Sequence, residues 1–334
     1  MGSSSSKNTT CFLVMMLMLL FIMQYVKTTH CATIPFNVIV QKDNSGNFTT
    51  VSDAVKAAPK NSKTRYMIRI KPGRYKEHVE IESDLTYISL IGDDVTTTII
   101  IFDRSNGSGF KTNETGTLSV MGQGFVAKSL TIENSTGPQN HQAAALYNTA
   151  DQSAFYNCIF LGYQDTLYAK ENRQFYKDCK IYGTVDFIFG HAKAVFQDCH
   201  IYARPETLIT ITAQNRASDS EVNGFSFQGC HVEATLGLTP PQRANLIVFL
   251  GRPWDRYSTV IFMQSIFDDI VDPQGWTEWP GVSVDHLYYA EYDNSGLGAD
   301  TSKRVNWKGY HVSRSGWKLI GLRWPSLLMG ITGF

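Results

Sequence analysis

Apolar positions along this chain fall in short β-rich runs, and no segment carries the 3.6-residue period of a long amphipathic helix. Four runs share one pattern around a cysteine: "FYNCIFLG", "FYKDCKIYG", "VFQDCHIYA" and "FSFQGCHVEA", containing Cys158, Cys179, Cys199 and Cys230. Each reads aromatic, one or two polar residues, Cys, then an aromatic or β-branched residue two positions on. "GFVAKSLTIENS" (124–135) and "TVIFMQSIFDD" (259–269) repeat the pattern without the cysteine. The cysteines are 21, 20 and 31 positions apart, and a period in the twenties built from short strands predicts a solenoid. Leucine-rich repeats lack support because their Leu/Asn framework is missing. A parallel β-helix fits, with equivalent residues of successive coils stacked at strand spacing, about 4.8 Å. A β-sandwich of similar strands is the weaker alternative, since it would not stack like residues in a ladder. Cysteines at this spacing are close enough to pair in any of three ways, or to pack as reduced thiols. No tight C-x-x-C pair suggests a metal.

The first residues break the pattern. "CFLVMMLMLLFIM" (11–23) is an uninterrupted apolar run of thirteen, too short for a transmembrane helix and suited to a secretory signal spanning residues 1–32. A retained signal anchor and an N-myristoylated "MGSSSS" start are the competing readings. Export is also suggested by N-x-[ST] sequons at Asn47, Asn106, Asn113 and Asn134. The expected mature protein is extracellular, with one solenoid domain over 33–312 and an atypical tail over 313–334. Thirty basic residues balance thirty acidic ones, so no global field argues for nucleic acid.

The repeat gives meaning to two carboxylates. Asp165 in "GYQDTL" and Asp186 in "GTVDFIFG" lie 21 positions apart in apolar, aromatic surroundings. With a coil of about 21–23 residues they become neighbours on adjacent turns, and Gln142 and Gln164 join them. Because Gln164 and Asp165 are consecutive, a local bend must expose both. Two close carboxylates split their pKa values, so one can serve as acid and the other as nucleophile or base. Glutamine amides suit an oxyanion. Arg252 in "LGRPW" can hold one carboxylate ionised by a bidentate contact. Tyr163, Phe187, Phe189, Trp254 and Trp276 offer aromatic faces for sugar rings. Taken singly, each residue has a structural explanation: a turn cap, a half-buried strand, an ion pair. Four polar groups brought together by one period favour a site.

In these motifs the sequence resembles the plant pectin methylesterases (pectinesterases). "GRYKE" (73–77), "QAAAL" (142–146), "GYQDTL" (162–167), "GTVDFIFG" (183–190) and "LGRPW" (250–254) occur in the family's order, and the likeness covers roughly residues 35–312. The resemblance implies a right-handed parallel β-helix that removes methyl esters from cell-wall galacturonan without metal or organic cofactor. It also implies roles: Asp186 as nucleophile oriented by Arg252, Asp165 as general acid and then base, Gln142 and Gln164 as oxyanion donors, and Thr117 and Trp254 as substrate contacts. The implied partners are methyl-esterified homogalacturonan and a proteinaceous inhibitor, and the expected state is a monomer. The chain departs from the family at Ala in "QAAAL", at His191, and in the tail. It would be a short form, without the inhibitor-like pro-region that many relatives carry. Other readings are a chain-cutting β-helix enzyme, which would need calcium-binding acids or differently spaced carboxylates, and a wall-binding protein impaired by its tail.

Overall fold

Three short strands make each coil, and a computed structural model describes them over residues 35–313. One coil runs through Ser153–Tyr156, Ile159–Leu161 and Leu167–Ala169, and the next restarts at Arg173–Lys177. Stacking the coils produces three all-parallel sheets of eleven, eight and seven strands among the described residues. This is the parallel β-helix that the repeat predicts. The register pairs Leu146 with Leu167 and Leu167 with Ile188, a spacing of 21 at each step.

The cysteine pattern marks one corner of every coil. Strand register aligns Leu130, Cys158, Cys179, Cys199, Cys230 and Ser265, so Leu and Ser fill the ladder in the two copies that lack Cys. All four cysteines are buried and unbridged, which resolves the choice in favour of packed thiols. Burial raises the thiol pKa of Cys179 and Cys230 and keeps those two groups protonated. The residue before each ladder position turns through the left-handed region: Ser129, Asn157, Asp178, Asp198, Gly229 and Gln264 have φ between 50° and 63°. Asn, Asp and Gly tolerate that conformation best, which explains the polar residue preceding Cys. Three positions before the four cysteines and Ser265, Phe155, Tyr176, Phe196, Phe227 and Phe262 form a continuous stack with centroids 4.3–5.0 Å apart.

A short helix, Val51–Lys56, covers the first coil with Val51, Ala54 and Val55. The Glu77 carboxylate of "GRYKE" accepts from the N–H groups of Val51 and Ser52, two donors that the helix itself leaves unpaired. The proposed signal and all but the first residue of the tail lie outside the described residues. Within them no helix is long and apolar enough to cross a membrane.

Candidate active site

Both aspartates lie in the bends that lead into the seven-stranded sheet. Asp165 precedes Leu167–Ala169, and Asp186 precedes Ile188–Gly190. The register of Leu167 with Ile188 places them at equivalent positions on adjacent coils. Each has a left-handed backbone, with φ of 64° and 51°. This is the local bend expected from "QD", and it interrupts strand alternation so that consecutive residues face the same cleft. Below the bend Thr166 is fully buried, and its hydroxyl donates to the Tyr163 and Tyr182 carbonyls.

The two carboxyls have different surroundings. Asp186, 5% exposed, receives Arg252 Nε at 2.8 Å on Oδ1 and Nη2 at 2.6 Å on Oδ2. Thr210 Oγ1 also donates to Oδ1 at 2.7 Å, and accepts the Asp186 backbone N–H at 2.9 Å. A bidentate guanidinium and a hydroxyl together fix an ionised carboxylate in one orientation. Asp165 is similarly buried, 7% exposed, yet no described residue hydrogen-bonds to its carboxyl. Burial pushes its pKa well above the usual carboxylate range, and the adjacent charge of Asp186 pushes it further, against a smaller pull from Arg252. The site thus favours the protonated form of Asp165 beside the clamped side chain of Asp186.

A cleft of about 660 Å³ opens over this pair. Gln142, Gln164, Asp165, Asp186, Phe189, Arg252 and Trp254 line it, as the sequence suggests. Neither glutamine carboxamide has a partner among the described residues, so both are available to a ligand. Tyr168 stacks on Phe189 with centroids 4.1 Å apart, and Trp254 leans on both. Tyr147, Tyr168 and Phe189 stand 21 positions apart in one register, so the repeat applied to Phe189 would have found the two tyrosines. Lys170, Thr112 and Asn113 add a polar rim that the motifs do not reveal.

Four aromatic and hydroxyl positions need correction. Thr117 is fully buried, and its hydroxyl donates to the Glu133 carbonyl. Phe187 is likewise core. Trp276 is buried, stacks on Tyr289 and donates Nε1 to Glu291. Its neighbour Trp279 reaches the cleft instead, with the Arg252 guanidinium 4.1 Å from its ring centroid. Tyr163 does not line the cleft; its ring lies under Arg204, which donates to its hydroxyl at 2.7 Å. Thr210 is the polar partner of Asp186 that no sequence motif announces.

The pectinesterase family model matches residues 37–319. Pectinesterase 2 of Citrus sinensis is 45% identical over 282 residues, covering 84% of this chain and 55% of that protein. The chain therefore spans about half the length of several curated relatives. It covers more of the pectinesterase of Daucus carota: 44% identity over 303 residues, 90% of this chain and 95% of that protein. The solved carrot pectin methylesterase superposes with a TM-score of 0.86 at 44% identity, covering 90% of this chain and 95% of that one. A more distant pectin methylesterase, solved with a bound hexasaccharide, has a TM-score of 0.68 at 25% identity, covering 82% and 93%.

Proposed function

The chain belongs to the pectinesterase family, and from that premise we propose that it hydrolyses methyl esters of galacturonan, releasing methanol and free carboxylates. The observation that carries this reading is the asymmetric pair: a clamped Asp186 beside an Asp165 whose pKa is driven upward. Asp186 attacks the ester carbonyl, and negative charge develops on its oxygen. The amide N–H groups of Gln142 and Gln164 stabilise that oxyanion. Asp165 gives its proton to the departing methoxide, leaving methanol and an anhydride between the sugar carboxyl and Asp186. Asp165, now ionised, takes a proton from water as the hydroxide adds to the sugar acyl carbon. Collapse frees the galacturonate carboxyl and regenerates Asp186 as carboxylate, with Arg252 and Thr210 holding it in line.

Tyr147, Tyr168, Phe189, Trp254 and Trp279 provide apolar faces for the sugar rings of methyl-esterified homogalacturonan, the polymer we infer as substrate. The bound hexasaccharide of the distant relative is consistent with an extended groove. The apolar run at 11–23 and the sequons support secretion to the cell wall. A monomer that meets a proteinaceous inhibitor at the cleft completes the proposal. Its test is incubation of the secreted protein with highly methylated pectin, assaying methanol, reducing ends and unsaturated products. Methanol alone, abolished by Asp186→Ala, is expected. New chain ends would point to a depolymerase, and binding without methanol to a wall-binding protein; either result overturns the reading.

A further inference from the structure

Outside the cleft, three metal-ligating side chains meet on the outer face of the eight-stranded sheet. His200 opens the strand His200–Ala203, His231 opens His231–Ala234, and the register sets the two histidines directly opposite each other. Glu233 follows on the same face, because buried Val232 takes the inward position between them. His200 Nδ1 lies 2.7 Å from Glu233 Oε1, and the two imidazoles stack with centroids 4.7 Å apart. One ligand atom from each of the three lies within 4.8 Å of the others, and no other group of three does so among the described residues.

We infer that His200, His231 and Glu233 form a surface site for a divalent transition metal of the zinc class, separate from the catalytic cleft. Two imidazole nitrogens and one carboxylate oxygen suit Zn²⁺, whereas Ca²⁺ would require six or more oxygens. Ligand bonds of about 2.1 Å put tetrahedral ligand atoms about 3.4 Å apart. To reach that separation, the 2.7 Å His200–Glu233 hydrogen bond opens by less than about 1 Å, and His231, whose ligand atom lies within 4.8 Å of the other two, closes by a side-chain rotation. Glu233 has no Lys or Arg partner among the described residues; its neighbours are the His200 imidazole and the hydroxyl of Tyr202, which stands opposite it in the register. The half-exposed position leaves the fourth coordination place to water. A metal here would tie together two coils separated in sequence by a long excursion between residues 203 and 231. The competing reading is a plain surface hydrogen bond, with the imidazoles stacked as Tyr182 and Tyr202 are, 4.5 Å apart.

Zinc binding distinguishes the two. Protein purified without a polyhistidine tag and stripped with chelator would be titrated with ZnCl₂ by calorimetry, then with Co²⁺ to record d–d absorption. We expect one saturable equivalent, weakened at least about tenfold in His231→Ala and in Glu233→Gln, with methanol release unchanged in both variants. Added ZnCl₂ should raise the melting temperature of the parent and not of the variants, because the metal binds only the folded pair of strands. Absence of saturable uptake, or uptake that both variants retain, would overturn the site.

Discussion

At the residue scale the chemistry rests on how differently the fold treats two identical side chains. Asp186 receives a guanidinium and a hydroxyl, whereas the Asp165 carboxyl receives no hydrogen bond from any described residue and feels the field of its neighbour. A carboxyl whose folded pKa is raised contributes fully below its unfolded value of about 3.9, and that contribution is lost as pH rises through the folded value. Asparagine at 165 cannot ionise. Asp165→Asn should therefore melt above the parent at neutral pH, with the gap closing towards pH 4, while methanol release falls at least about 10²-fold. Calorimetry from pH 4 to 8 checks this, and a gap that does not change with pH would contradict it. The same raised pKa predicts that parent activity falls as pH climbs through it, since the general acid loses its proton. Thr210 offers a second test. Valine there removes both the donor to Asp186 Oδ1 and the acceptor of its N–H, two buried partnerships costing about 1–3 kcal/mol each when left unmatched. Steady-state kinetics should show kcat lowered about tenfold or more with KM nearly unchanged, and Thr210→Ser should recover most of the loss.

Elements position these residues through contacts that lie far apart in the chain. Segment 275–277 lies alongside the strand Ile247–Pro253: Leu250 N–H donates to Gly275, Thr277 N–H donates to Gly251, and Gly251 bridges to Trp276. A side chain at Gly251 would collide with Thr212, so the strand carrying Arg252 requires glycine there. Trp276 then points inward to Glu291, a 2% exposed carboxylate that also accepts from Arg304 and Tyr310. Trp279 points outward over Arg252. Glu291→Gln would leave the buried Arg304 charge uncompensated, at a cost of about 3–5 kcal/mol. Urea unfolding should register that loss, and activity should drop as Trp279 shifts; an unchanged midpoint would show the pair to be dispensable. This segment also shows where the sequence stops being legible. The 21-residue spacing of Asp165 and Asp186 needs only the cysteine repeat, because the coils between them are uniform. Beyond Ile188 the register steps to Thr212 and then to Gly251, with excursions of unequal length. Nothing local reveals that Thr210 faces Asp186 or that Trp279, and not Trp276, reaches the cleft. Thr117 misleads similarly, since only the folded corner shows its hydroxyl turned to the Glu133 carbonyl.

On the scale of the whole molecule, the four sequons differ in exposure, and one of them stands at the cleft. Asn47, Asn106 and Asn113 are exposed, but Asn134 is 3% exposed and its Nδ2 donates to the carbonyls of Arg104, Thr115 and Ala144. A glycan needs that nitrogen and needs room, and a buried polar network with one member removed is costly. A chain exported through a glycosylating pathway should therefore carry sugar at the three exposed sites and none at Asn134, as peptide mass mapping would reveal. Asn113 has a further consequence because it lies on the rim of the cleft beside Thr112. Net charge near zero provides no long-range steering, so capture of a polymer depends on local access to the groove and on groups such as Lys170. A glycan at Asn113 would obstruct a long chain more than a short ester. Asn113→Gln should raise kcat/KM for high-methyl pectin about two- to tenfold, a barrier change of no more than about 1.4 kcal/mol, while leaving turnover of a short methyl-esterified oligomer unchanged. Equal effects on both substrates, or none on either, would mean that a glycan at this position stands clear of the bound polymer.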